Sequence, residues 1–222
     1  MGTAGEPHAR LQAARLYLIL ECEVRGAPAA ELVAAALKGG VDIVQLRDKE
    51  ASDDRSVATG RELRALCDHA GALLIVNDRA DLALECGADG VHVGQDDDRV
   101  DEIRLQVGDR LLIGISTHSA EQIAAADASG ADYLGVGPVF ETPTKPGRRP
   151  VGLALVEHAA SNASKPWFAI GGIDAGNAPD VVAAGASRIA VVRAIRDADD
   201  PGAAAGELRA ALEREARVGS PG

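Results

Sequence analysis

The stretch Gly39-Gly40-Val41-Asp42-Ile43-Val44-Gln45-Leu46-Arg47-Asp48-Lys49 decides the fold. A glycine pair able to end a helix is followed by an aliphatic run of strand character and then by a cluster of charge. The junction recurs as Gly87-Ala88-Asp89-Gly90, Gly130-Ala131-Asp132-Tyr133 and Gly185-Ala186-Ser187-Arg188, each time between an Ala-rich segment of helical period and a short aliphatic run. These intervals suit two βα units each and are too irregular for a solenoid. Working outward, strands are predicted at 15–20, 42–47, 73–77, 90–94, 111–116, 133–137, 166–170 and 188–192. Amphipathic helices follow them at 29–38, 54–69, 81–86, 100–107, 120–129, 153–160, 177–184 and 202–217. Eight βα units in 222 residues specify an α/β protein, a single-domain (β/α)8 TIM barrel. A doubly wound open sheet fits less well, because no Gly-x-Gly-x-x-Gly follows the first strand and function-like residues recur after nearly every later strand. The barrel is expected over 15–217, with an N-terminal extension at 1–14 and a C-terminal tail at 218–222.

Composition narrows the partners. Apolar residues make up 46% and charged residues 26%, a globular mixture, and with two Phe, two Tyr and one Trp the core is expected to be aliphatic. Few aromatic platforms and a net charge of −11 exclude a nucleic-acid or anionic-membrane binder, so an anionic ligand must be small and held locally. Cys22, Cys67 and Cys86 form an odd set without metal-ligand spacing, as expected of reduced thiols in a cytoplasm. No apolar stretch reaches membrane-span length and the start does not read as a signal peptide, so a soluble cytoplasmic protein is expected. The oligomeric state, homo-oligomer or monomer, is left open.

In a barrel the chemistry belongs at the C-terminal ends of the strands. Period-two alternation puts Gln45, Arg47 and Lys49 on one side and Leu46 on the other, so a donor and two cations face the mouth as an anion clamp. The third strand ends in Asn77-Asp78-Arg79 and the fourth in Gly94-Gln95-Asp96-Asp97-Asp98. Helix capping accounts for one residue at each place; the surplus carboxylates suit Mg2+, which takes hard oxygen ligands and shares its shell with substrate phosphate. Ser116 after the fifth strand reads as a ligand-binding hydroxyl or a helix cap, since no base and acid accompany it. The longest top-face loop, Gly137 to Gly147, is a lid candidate that carries Lys145; Lys49 and Lys145 are two of only four lysines in the chain. Gly171-Gly172 after the seventh strand and Val192-Arg193 after the eighth fit a backbone-built phosphate site. His92 and His118 sit near strand ends and can face the mouth; His8, His69 and His158 read as surface residues.

These motifs, in order and together, resemble the thiamine-phosphate synthase family over about 16–195. The resemblance implies a (β/α)8 barrel that joins 4-amino-2-methyl-5-(diphosphooxymethyl)pyrimidine to 4-methyl-5-(2-phosphooxyethyl)thiazole, or its carboxylated form, and releases pyrophosphate with Mg2+. It implies Gln45, Arg47, Lys49, Asn77, Ser116 and Lys145 on the pyrimidine diphosphate, with Arg47, Lys49, Ser116 and Lys145 catalytic. Asp78 and Asp97 would hold Mg2+, and Thr142, Thr144, Gly172, Val192 and Arg193 would meet the thiazole phosphate. The chain departs from the family pattern at Leu20-Glu21, where many members have Thr-Asp, and at Glu141, where proline is frequent; Glu21 is assigned no role. Position 193 varies between serine and arginine in the family, so a backbone contact is expected there. An isomerase on the same barrel, a noncatalytic metabolite sensor and a sugar-phosphate isomerase are the rival readings; the first and third need proton-transfer groups, and none needs a carboxylate pair beside a cation clamp.

Overall fold

The computed structural model describes residues 5–142 and 149–218. Eight parallel strands close on themselves: β1 (Leu16–Leu20), β2 (Ile43–Leu46), β3 (Leu73–Asn77), β4 (Gly90–Val93), β5 (Leu112–Thr117), β6 (Tyr133–Val136), β7 (Trp167–Ile170) and β8 (Ile189–Val191). β1 pairs with both β2 and β8, Leu18 standing opposite Val44 and Val191, which removes any free edge. The predicted helices are all present, as α2 (Ala29–Lys38), α3 (Asp53–Ala70), α4 (Ala80–Cys86), α5 (Val100–Val107), α6 (Ala120–Asp127), α7 (Gly152–Asn162), α8 (Ala178–Ala183) and α10 (Pro201–Val218). The fold is therefore the (β/α)8 barrel.

The repeated junction has a structural cause beyond helix termination. Asp42 Oδ2 accepts the backbone N–H groups of Arg15 (2.7 Å) and Leu16 (3.0 Å) and an Arg209 Nη1 proton (2.6 Å). Asp89 Oδ2 likewise takes the Leu74 N–H (2.8 Å) and pairs with Arg64, and Asp132 Oδ2 takes the Ile113 N–H (2.7 Å) and Arg104 Nη2 (2.6 Å). Each junction aspartate thus satisfies the start of a neighbouring strand and ties it to a helix through a charge-assisted bond. Gly87, at φ +71°, provides the left-handed cap of α4; α6 instead ends at Asp127 with Ala128 as its cap, so Gly130 is not needed for that purpose.

Three features lie outside the sequence expectation. The extension contains α1 (Gly5–Ala13), whose Leu11 enters the barrel from below; with a single buried residue its period is hard to see. A small hairpin pairs Glu23–Val24 with Ala27–Pro28, and a four-residue helix, α9 (Arg193–Arg196), follows β8. The core also departs from an aliphatic one. Valine, leucine, isoleucine and alanine fill the layer between strands and helices, but the barrel interior is built around Tyr17, Tyr133 and Phe168. Phe168 stands edge-on to both tyrosine rings, with centroids 5.4 and 5.9 Å away. Inward-facing Gly114 makes room for them: a Cβ there would lie 2.2 Å from Tyr133 Cζ.

Candidate active site

A cavity of about 370 Å³ opens at the C-terminal ends of the strands. From β2, Gln45 and Arg47 line it while Leu46 packs into the layer under the helices, as the alternation requires. Lys49 lies further out, its Nζ 3.6 Å from Asp78 Oδ2. Between them Asp48 points the other way. Burial opposes its ionisation, yet N–H bonds from Glu50 (3.0 Å), Cys22 (3.1 Å) and Ala51 (3.1 Å) hold its carboxyl below the usual range and fasten the loop.

Asn77 at the end of β3 lines the cavity, and Asp78 follows in the left-handed region at φ +60°. An aspartate tolerates that conformation at a cost, and here it turns the carboxylate toward β4. Burial raises the Asp78 carboxyl above its ordinary range, and contact with Asp97 raises it further against the opposing charges of Lys49 and Arg47. Asp97 is held in place by the Gly94 N–H, 2.7 Å from Oδ2; a Cβ on residue 94 would come within 2.8 Å of that oxygen. Two carboxylates forced together beside two cations are a donor set suited to a hard divalent ion, so the residues fit Mg2+. No cluster of three or more metal-binding side chains occurs among the described residues, so the remaining ligands would come from substrate and water.

Ser116 on β5 lines the cavity and is nearly buried; helix capping belongs to Ser119, whose hydroxyl accepts the Gln122 N–H at 3.3 Å. His118 lines the cavity too, its Nδ1 bonded to the Gly137 carbonyl. After β6 the chain folds onto the end of β7, Val139 and Phe140 donating N–H to Ile170 O and Gly171 O at 2.9 Å each, and this places Thr142 on the wall. Thr144 and Lys145 lie outside the described residues.

Gly171 and Gly172 line the cavity with φ of +104° and +66°. Their glycine character serves the loop: a Cβ at 171 would sit 2.4 Å from Pro138 Cα, and one at 172 would sit 2.7 Å from the Glu141 carbonyl. Beside them, after the adjacent strand β8, Val192, Arg193 and Ala194 line the wall where α9 begins. Arg193 is exposed at this rim. Glu21, given no role from sequence, anchors this corner: its Oε1 is 2.8 Å from Arg196 Nη1, and Arg196 Nε also bonds Asp197 at 2.7 Å.

Gln45, Arg47, Asn77, Ser116, Thr142 and the glycine-lined corner thus share one cavity, while Lys49, Asp78 and Asp97 group together beside Arg47 but do not line it. The family model described as thiamine monophosphate synthase matches residues 16–195. The chain belongs to the thiamine monophosphate synthase family. It is 53% identical over 200 residues to a thiamine-phosphate synthase of Gloeobacter violaceus, covering 90% of this chain and 58% of that protein. Against the thiamine-phosphate synthase of Mycolicibacterium smegmatis it is 51% identical over 216 residues, covering 93% and 95%. The chain spans just over half the length of the cyanobacterial relatives and nearly all of the mycobacterial one. Among solved structures, the thiamine phosphate pyrophosphorylase from Pyrococcus furiosus superposes with a TM-score of 0.84 at 36% identity, covering 93% of this chain and 98% of that one. The cavity also has lining residues to which the sequence assigns no role, His92 and Asp174, and a buried cluster containing Tyr17 and Tyr133.

Proposed function

We propose that this chain is a transferase that condenses 4-amino-2-methyl-5-(diphosphooxymethyl)pyrimidine with 4-methyl-5-(2-phosphooxyethyl)thiazole, or with its carboxylated form, which also loses CO2, to give thiamine phosphate and pyrophosphate. The observation that carries the reading is that Arg47, which lines the cavity together with the backbone corner at Gly172 and Val192, stands beside a group formed by Lys49, Asp78 and Asp97 at its edge. One end suits a diphosphate and the other a monophosphate.

The methylene C–O bond of the pyrimidine breaks first, its electron pair leaving with pyrophosphate, and the cation left at the methylene is spread into the electron-rich aminopyrimidine. The thiazole nitrogen then donates its lone pair to form the new C–N bond. Arg47, Lys49 and Lys145 take up the developing negative charge, with Ser116 as a neutral donor; Gln45 and Asn77 orient the pyrimidine. Thr142, Thr144 and the backbone at Gly172, Val192 and Arg193 hold the thiazole phosphate. Asp78 and Asp97 would hold Mg2+, which when bound neutralises charge on the departing oxygens. Positioning and electrostatics of this kind lower a barrier by on the order of 10 kcal/mol without a covalent intermediate.

Support for a cytoplasmic setting comes from three buried free thiols, and among the described residues no helix is long and apolar enough to cross a membrane. The experiment is incubation with both substrates and Mg2+, followed by mass analysis. Thiamine phosphate is the expected product; tautomerised thiazole with no coupled product would replace this reading by the isomerase.

A further inference from the structure

Beneath the mouth a hydrogen-bonded chain crosses the barrel interior. Gln45 Nε2 lies 2.5 Å from Tyr17 Oη, Tyr17 Oη 3.0 Å from Tyr133 Oη, Tyr133 Oη 3.2 Å from His92 Nδ1, and His92 Nε2 3.0 Å from Ser116 Oγ. It runs through β2, β1, β6, β4 and β5 and begins and ends on cavity-lining residues. Both phenols are fully buried, and burial raises both above the ordinary tyrosine range, so each keeps one proton.

Proton counting then gives the chain a direction. The amide nitrogen of Gln45 only donates, so Tyr17 Oη receives that bond, and for every buried proton to find an acceptor Tyr17 gives its own to Tyr133. Tyr133 in turn spends its proton on His92 Nδ1. A His92 ring that accepts at Nδ1 carries its proton at Nε2 and donates it to Ser116 Oγ. Ser116, already accepting from within the barrel, has its own proton left for the cavity.

We propose that Gln45, Tyr17, Tyr133 and His92 are positioning residues that fix Ser116 as a hydrogen-bond donor to the diphosphate bound at the mouth. The ligand's identity rests on the function proposed above; the polarity of the chain does not. Gly114 is part of the device, since a Cβ there would lie 2.5 Å from both His92 Nδ1 and Tyr133 Oη. The barrel interior thus has a reason to carry its tyrosines where aliphatic side chains would pack more simply.

The test has two arms. Nitrogen-15 NMR of the histidine-labelled full chain, with His92→Asn for assignment, should show His92 protonated at Nε2 and bare at Nδ1 near neutral pH. Tyr133→Phe, which removes one hydroxyl and little volume, should disturb that signature. It should also weaken binding of inorganic pyrophosphate with Mg2+ by about tenfold, the size expected for a misoriented hydrogen bond to a charged group. In a Ser116→Ala background the same change should weaken pyrophosphate no further, whereas a general packing defect would cost equally in both backgrounds. Protonation at Nδ1 in the unaltered chain would reverse the direction and overturn the proposal, as would equal losses in the two backgrounds. Failure of the condensation alone, with the expected tautomer and pyrophosphate effect present, would strike the proposed reaction and leave the chain of donors standing.

Discussion

Replacing Asp78 by Asn should make the protein more stable and much less active. Asp78 and Asp97 are in contact, and two unit charges at such range repel by roughly 4 kcal/mol at an effective dielectric near 20. Lys49, 3.6 Å away, offsets part of this, but its side chain is 59% exposed and its pairing is discounted accordingly. The carboxyl is raised above its ordinary range, so its ionised form opposes folding at neutral pH and the penalty fades as pH falls through its folded value. Asn keeps the side-chain shape, tolerates φ +60° as Asp does and removes the charge. A net gain of about 1 kcal/mol is expected, which for a chain of this size is roughly 2–4 °C in Tm, measured by calorimetry in chelator. Saturating Mg2+ should then raise the melting temperature of the unaltered protein and leave that of the variant nearly unchanged. Turnover should fall by roughly 10²- to 10³-fold. A variant that melts lower in chelator, or that keeps full Mg2+-dependent activity, would refute the reasoning that these carboxylates are held together for a cation.

Other outcomes follow from the same geometry. Glu21→Gln should loosen Arg196 and the start of α9, raising KM for the phosphorylated thiazole by about three- to tenfold while leaving the dephosphorylated thiazole unaffected; paired steady-state assays decide it. Gly172→Val should weaken both substrates, because its side chain strikes the Glu141 carbonyl and Phe140 Cβ at the head of the sequence stretch that carries Thr142, assigned to the thiazole phosphate, and Lys145, assigned to the diphosphate; a defect confined to the thiazole would place the clash elsewhere. His118→Asn should cost condensation less than about tenfold, since no general acid or base is required, and Lys145→Ala clearly more. Comparing the two at saturating substrates separates transfer from tautomerisation.

The barrel was legible in the sequence because aliphatic runs and helical segments alternate through all eight units, and a glycine-led junction, Gly-x-Asp at three of its four occurrences, marks every second one. The mouth was legible in part because Gln45, Arg47, Asn77 and Ser116 line the cavity, where the fold rule puts strand-end side chains, while the placement of Asp78 depends on a left-handed backbone that alternation does not foresee. Tyr17 and Tyr133 were not, and His92 was legible only as a residue able to face the mouth: each is a single polar group inside a strand, and they meet only when the barrel closes. The same holds for Gly114, whose reason is a ring from another strand. Helix α9 has four residues and too little periodicity to signal itself, so the partner of Glu21 could not be read. Gly172 was legible as a ligand-side glycine, while its contact with Glu141 and Phe140 required the folded loop.

The most direct measurement follows phosphorus-31 resonances while the full chain is mixed with the pyrimidine diphosphate, the thiazole phosphate and Mg2+. The account predicts that pyrophosphate and thiamine phosphate appear together in equal amounts, at a rate abolished by chelator. Loss of pyrophosphate without coupled product, or coupling at full rate in excess chelator, would contradict it.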